Sequence, residues 1–99
     1  MTRKILNLLG LANRSQKLAI GMDAVCEAML NRKTALILFA SDFSKNSREK
    51  IPDVTGVKSI ELEIDKDTLG AKLGKRKVGI VAVCDEKFTL GILKVIKML

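Results

Sequence analysis

Two runs, "TALILFAS" at residues 34–41 and "VGIVAVC" at 78–84, constrain the fold more than any other feature of the chain. Each is apolar almost from end to end, of strand length, and lacks the polar alternation of a half-exposed strand. Such strands need cover on both faces. The segments between them supply it, because they carry helical spacing. Thr2 can cap a helix over residues 3–13 in which Ile5, Leu8, Leu9 and Ala12 share a face. "RSQK" is a polar break, "LAI" at 18–20 a short strand and Gly21 a permissive turn. Met22, Val25 and Met29 then form the apolar stripe of a helix that reaches about Asn31. "SDFSKNSREKI" reads as a loop and a short helix ended by Pro52.

The later segments continue the alternation. "VKSIELEI" at 57–64 sets Ile60, Leu62 and Ile64 opposite Val57, Ser59, Glu61 and Glu63, the pattern of a half-exposed strand. Asp65 or Asp67 caps a short helix closed by Gly74. Asp85 caps a last helix whose Phe88, Ile92, Val95, Ile96 and Leu99 fall on one side. Helix and strand thus alternate from end to end without a repeat or linker. The expected architecture is one domain over residues 1–99, a three-layer α/β/α sandwich around a small central mixed sheet.

Composition narrows the function. Eighteen Lys and Arg stand against 11 Asp and Glu, a net charge of +7, which suits a polyanionic partner. Only three aromatics occur, all Phe, so a base-stacking platform is not expected. The absence of His excludes imidazole acid–base chemistry and His-ligated zinc. Cys26 and Cys84, far apart in apolar segments, read as buried free thiols. Asn7 and Arg14 interrupt the N-terminal apolar run, no small-residue cleavage site follows, and no stretch reaches transmembrane length. A cytoplasmic protein without a cofactor is expected.

Two features tempt toward catalysis and fail. "GAKLGK" at 70–75 has three residues between its glycines, where a phosphate-cradling loop needs four, and Arg76 stands where Ser or Thr should follow the Lys. It also closes a helix rather than opening one. Asp23 and Glu27 share a helix face but bring no third ligand and no activated nucleophile. An acidic residue near a helix start is favoured by the macrodipole alone. The chain is not read as an enzyme.

Basic residues concentrate instead in two places: Lys75, Arg76 and Lys77 between a helix and a strand, and Arg14 and Lys17 in the first loop. A sandwich can gather loops at one edge of its sheet. The expectation is one phosphate-holding surface made of these five cations and the backbone amides of Gly21, Met22 and Asp23 at a helix start.

The stretches "LLGLANRSQKLAIGMDAVCEAM", "ALILFASD", "LGAKLGK" and "VAVCDEKFT" together resemble the large-subunit ribosomal protein L-seven-Ae superfamily, colinearly over nearly the whole chain. The likeness is greatest to its small bacterial YlxQ-type, ribosomal-protein-like members. The resemblance implies an α/β/α sandwich and binding of RNA, which the best-known members recognise as kink-turns. It also implies that RNA is read at the turn and first helical residues after the short first strand, where the family pattern is roughly Gly-x-Asn-Glu-x-x-Lys. Gly21 matches the glycine, whereas Asp23 replaces Asn, Ala24 replaces Glu and Glu27 replaces Lys. Lys17 matches a basic residue of the preceding loop, and Lys75 to Lys77 occupy a loop that is largely apolar in kink-turn binders.

These departures matter chemically. Asn and Lys donate to acceptor edges such as guanine O6 and N7, while ionised Asp and Glu only accept. The expected function is therefore binding of ribosomal or other structured RNA with altered kink-turn contacts. Arg14, Lys17, Lys75, Arg76 and Lys77 hold phosphates, and Gly21, Met22, Asp23, Ala24 and Glu27 face the bases. A monomer is expected, with ribosomal or translation proteins as further partners and no membrane. The alternative is a protein-interaction module that keeps the fold, has lost RNA binding, and meets a basic partner through Asp23 and Glu27.

Overall fold

The computed structural model describes residues 2–97. Its elements follow the order α1 (Thr2–Arg14), β1 (Leu18–Ile20), α2 (Met22–Leu30), β2 (Leu36–Phe39), α3 (Lys45–Glu49), β3 (Lys58–Glu61), α4 (Lys66–Leu73), β4 (Ile80–Val83) and α5 (Glu86–Lys97). The four strands form one mixed sheet in the order β1-β4-β2-β3. The β2–β3 pair is parallel, and β4 runs antiparallel to both β1 and β2. The expected α/β/α sandwich with a mixed sheet is the fold observed.

The two apolar runs occupy the middle of the sheet, and their side chains divide by alternation. Leu36, Leu38, Val81 and Val83 join Ile5, Leu9, Leu69, Leu73 and Ile92 in a core under α1, α4 and α5. Ile37, Phe39, Ile80 and Ala82 join Val25, Ala28 and Met29 of α2 in a core on the other face, with Phe43, Ile51 and Val54 packed against it. Fully burying one such Leu or Ile is worth about 1.5–3 kcal/mol, so cover on both faces is what fixes these two strands centrally. β3 is an edge strand, and its exposed Ser59 and Glu61 fit the alternation in the sequence.

The ladders are shorter than the apolar runs. Ala40 and Val78 stay buried, but their N–H groups donate to Gly79 C=O (2.8 Å) and Lys66 C=O (3.1 Å) outside the strands. At the other end Thr34 is buried, with its hydroxyl 2.8 Å from Val83 C=O while it accepts the Leu36 N–H at 3.2 Å. The alternation of "VKSIELEI" likewise outlasts its strand, since Leu62 and Ile64 are buried beyond Glu61.

The caps sort themselves by geometry. Asp65, rather than Asp67, caps α4, accepting Thr68 N–H at 2.7 Å. Asp85 accepts Phe88 N–H at 3.0 Å at the start of α5. Gly74 closes α4 in the left-handed conformation, φ 73°. Thr2 lies within α1 rather than capping it. Leu99, expected on the α5 face, lies outside the described residues. Among the described residues no helix is long and apolar enough to cross a membrane.

Candidate nucleic-acid interface

Strand direction decides which loops share an end of the sheet. In the antiparallel β1–β4 pair, Ile20 faces Val81 and Leu18 faces Val83. The register extends past both strand ends: Gly21 N–H donates to Ile80 C=O at 3.0 Å, and Cys84 N–H donates to Lys17 C=O at 2.8 Å. Gly21, the start of α2 and the loop entering β4 therefore lie at one end. Arg14 and Lys17 lie at the other. The expected single surface of five cations is thus two surfaces, because a strand of three residues puts its flanking loops on opposite ends of the sheet.

At the Gly21 end, α2 begins without a side-chain cap. Gly21 has φ 92° and ψ 163°, a conformation open in practice only to Gly, and its C=O accepts Val25 N–H at 2.9 Å as the first helical bond. The amides of Met22, Asp23 and Ala24 are therefore left for water or a ligand at the positive end of the helix dipole. Asp23, Ala24 and Glu27 are exposed, and Met22 is half-buried. Ala24 and Glu27 also wall a shallow groove between α2 and β1, with Gln16, Leu18, Ala19 and Lys33.

Lys75, Arg76 and Lys77 are all exposed in the loop that leads from α4 into β4. That loop sits directly on α4. Lys75 N–H donates to Gly70 C=O at 2.8 Å, and a Cβ on Gly70 would lie 2.6 Å from the Arg76 carbonyl oxygen. Gly70 is thus the residue that seats the cationic loop. Nothing in the spacing of "LGAKLG" signals this role, because it arises from the packing of a loop that follows the helix.

Among the described residues, no group of three or more His, Cys, Asp or Glu could hold a metal ion. Both cysteines are free, yet half-buried rather than buried: Cys26 stands beside the buried stripe of α2 between Val25 and exposed Glu27, and Cys84 follows the last residue of β4. Burial still pushes the Cys84 thiol above its usual pKa, against a smaller opposing hydrogen bond from Ala19. The Asp65 carboxyl is held below the usual range by the Thr68 N–H it accepts.

Fold and surface together define a small α/β/α sandwich that presents free helix-start amides and a cationic loop at one end of its sheet. The ribosomal protein L7Ae/L30e/S12e/Gadd45 family profile matches residues 3–98, and the chain belongs to that family. Among curated relatives it is similar to RNA-binding protein YlxQ of Bacillus subtilis (strain 168), 34% identical over 83 residues, covering 82% of this chain and 83% of the relative. RNA-binding protein YlxQ of Enterococcus faecium is 35% identical over 51 residues, about half of each chain (52% and 50%). Among solved structures, a Bacillus halodurans protein of unknown function superposes with TM-score 0.84 at 28% identity, covering 95% of this chain and 97% of its own. A Giardia lamblia 15.5kD RNA binding protein shares the fold alone, with TM-score 0.70 at 14% identity over 98% of this chain and 85% of its own.

Proposed function

We propose that the chain is a non-catalytic RNA-binding protein that docks structured RNA at the Gly21 end of its sheet. One observation carries this reading: the uncapped α2 start and the Lys75–Lys77 loop emerge from neighbouring strands at the same end. The cations would hold phosphates and the Gly21–Met22–Asp23 turn would approach a base. The names of the curated relatives support RNA as the ligand class. The same reading places the protein in the cytoplasm as a monomer, with ribosomal or translation proteins as further partners.

Specificity should differ from a kink-turn binder. Exchange of donors for acceptors at positions 23 and 27 sets carboxylates against guanine O6 and N7 and against nearby phosphates. A lost bidentate pair alone removes about 1–3 kcal/mol of discrimination. Asp23 and Glu27 can instead accept from cytosine N4 or from the Watson–Crick edge of an unpaired guanine.

A titration decides. The unmodified chain should bind structured ribosomal RNA at micromolar concentration or better, steeply weakened by salt. The triple change Asp23→Asn, Ala24→Glu, Glu27→Lys should gain preference for a kink-turn RNA. Absence of binding at low salt would refute the proposal and favour the protein-interaction alternative, and binding left undiminished by charge reversal at 75–77 would refute the docking surface.

A further inference from the structure

The end of the sheet opposite Gly21 carries cations that the proposed contact does not use, and the chain builds them twice by one device. α1 and α2 both finish in a left-handed turn, with Gln16 at φ 59° and Arg32 at φ 56°. Each turn closes with the same two bonds. Gln16 N–H donates to Asn13 C=O (3.0 Å) and Lys17 N–H to Ala12 C=O (2.8 Å). Arg32 N–H donates to Met29 C=O (3.2 Å) and Lys33 N–H to Ala28 C=O (2.8 Å). In this motif the left-handed position favours Gly, and the next residue is commonly apolar and packs back on the helix. Here the left-handed positions hold Gln and Arg, and the next positions hold Lys17 and Lys33.

A cation at a helix C-terminus is favoured by the dipole, which accounts for the sign of the charge on the two lysines. It does not account for Gln16 and Arg32, where Gly would serve the helix better. Non-glycine residues held at positive φ mark places where backbone strain is accepted for another purpose.

The two turns are neighbours. Gln16, Lys33 and Cys84 line one groove, and Arg32 and Lys33 line the adjoining hollow with Cys84 and Asp85. Arg14, Lys17, Arg32 and Lys33 are all exposed. The acidic groups nearby are Glu27 on the groove wall, Asp85, which caps α5, and exposed Glu86. Among the described residues the one ion pair joins Arg48 and Glu61, so direct contact neutralises none of these four cations.

We infer that Arg14, Lys17, Arg32 and Lys33 form a second phosphate-holding surface, so that one RNA is gripped at both ends of β1. The inference rests on the RNA-binding reading above. Lys17 and Gly21 are four positions apart, ~13 Å at roughly 3.3 Å per residue. That spans about four stacked bases at ~3.4 Å each. Between the two grips lies Glu27, which repels phosphate but can accept from a base amino group. Phosphates are thus held at the ends and a base edge between them.

The test measures binding of the full chain to one labelled RNA hairpin with an asymmetric internal loop across a salt series. Three paired neutralisations are compared: Lys17→Gln/Lys33→Gln, Lys75→Gln/Lys77→Gln, and Lys94→Gln/Lys97→Gln on α5 as a control of equal charge. The 17/33 pair should weaken binding about tenfold and lower the salt slope by about 1.5, as expected for two lost phosphate contacts. The α5 pair should stay within about twofold of the unmodified chain by the same reasoning. Lys17→Arg/Lys33→Arg keeps the charge and should bind normally; loss of binding there overturns the charge role. If the 17/33 pair behaves like the α5 control while the 75/77 pair weakens binding, the second surface is wrong and the first reading stands. If the unmodified chain fails to bind at low salt, both fall.

Discussion

Gly70→Ala perturbs the cationic loop without removing a charge. Glycine inside a helix costs about 1 kcal/mol relative to alanine, so propensity alone predicts that the change stabilises α4. Packing predicts the reverse. The new Cβ would lie 2.6 Å from the Arg76 carbonyl oxygen, 2.8 Å from its carbon and 2.9 Å from the Lys75 carbonyl oxygen. These are backbone atoms, so no side-chain rotation relieves the clash. Overpacking of this kind costs about 1–3 kcal/mol. A loop that lifts away also gives up the Lys75–Gly70 hydrogen bond, about 1 kcal/mol. After the propensity gain, net destabilisation is about 1–3 kcal/mol. For a domain of this size that lowers Tm by about 5–20 °C. Thermal melts followed by circular dichroism or calorimetry measure it. On the RNA-binding reading, affinity and salt slope should fall together, although every cation remains. An unchanged or raised Tm would refute the close-approach argument.

Two further outcomes follow from single residues. Arg32→Gly relieves a left-handed arginine, worth about 1–2 kcal/mol, against the extra unfolded-state freedom of glycine, about 0.5–1 kcal/mol. Stability in urea should therefore rise by about 0.5–1 kcal/mol while RNA affinity drops, and a fall in stability would contradict the strain argument. Asp65→Asn tests the α4 cap through pH. The folded-state pKa of Asp65 is depressed, so its contribution is present above the unfolded value near ~3.9 and is lost as pH falls through the lower folded value. The Asn variant should show a shallower loss of Tm below about pH 4 and match the unmodified chain closely near neutrality, since Asn also caps well. Parallel acid slopes for the two chains would remove Asp65 from the acid response.

The layers were legible because burial writes itself into spacing. Leu36–Phe39 and Ile80–Val83 alternate between two cores, and only strands covered on both faces can be apolar throughout. The cap at Asp85 and the closing glycine at 74 were equally readable, since local hydrogen-bonding chemistry sets them, whereas the α4 cap was narrowed only to Asp65 or Asp67. The grouping of the cations was not. Arg14 and Lys17 are close to Gly21 in sequence, but whether they share its end of the sheet depends on the direction of β1 and on its partner. Spacing along the chain does not encode either. The left-handed state of Gln16 and Arg32 was hidden for a related reason: neither residue type advertises positive φ as glycine does.

The substitutions at the start of α2 gain meaning from this separation. With Asp23 and Glu27 in place, the Gly21 turn can contribute backbone amides and acceptors, but little net attraction for a phosphate chain. The affinity that the excess of basic residues supplies must then arise elsewhere. The strand order offers two places, the loop before β4 and the paired helix ends after α1 and α2. Each lies one strand-length from the other, with the acceptor Glu27 between them. Affinity and selectivity would then rest on different residues. Neutralising the lysines should weaken binding almost equally for all RNAs, whereas Glu27→Gln should shift preference among RNAs with little change in salt slope. A Glu27→Gln chain that gained uniformly for every RNA would mean that the carboxylate acts only as a repulsive charge, and that no base edge is read there.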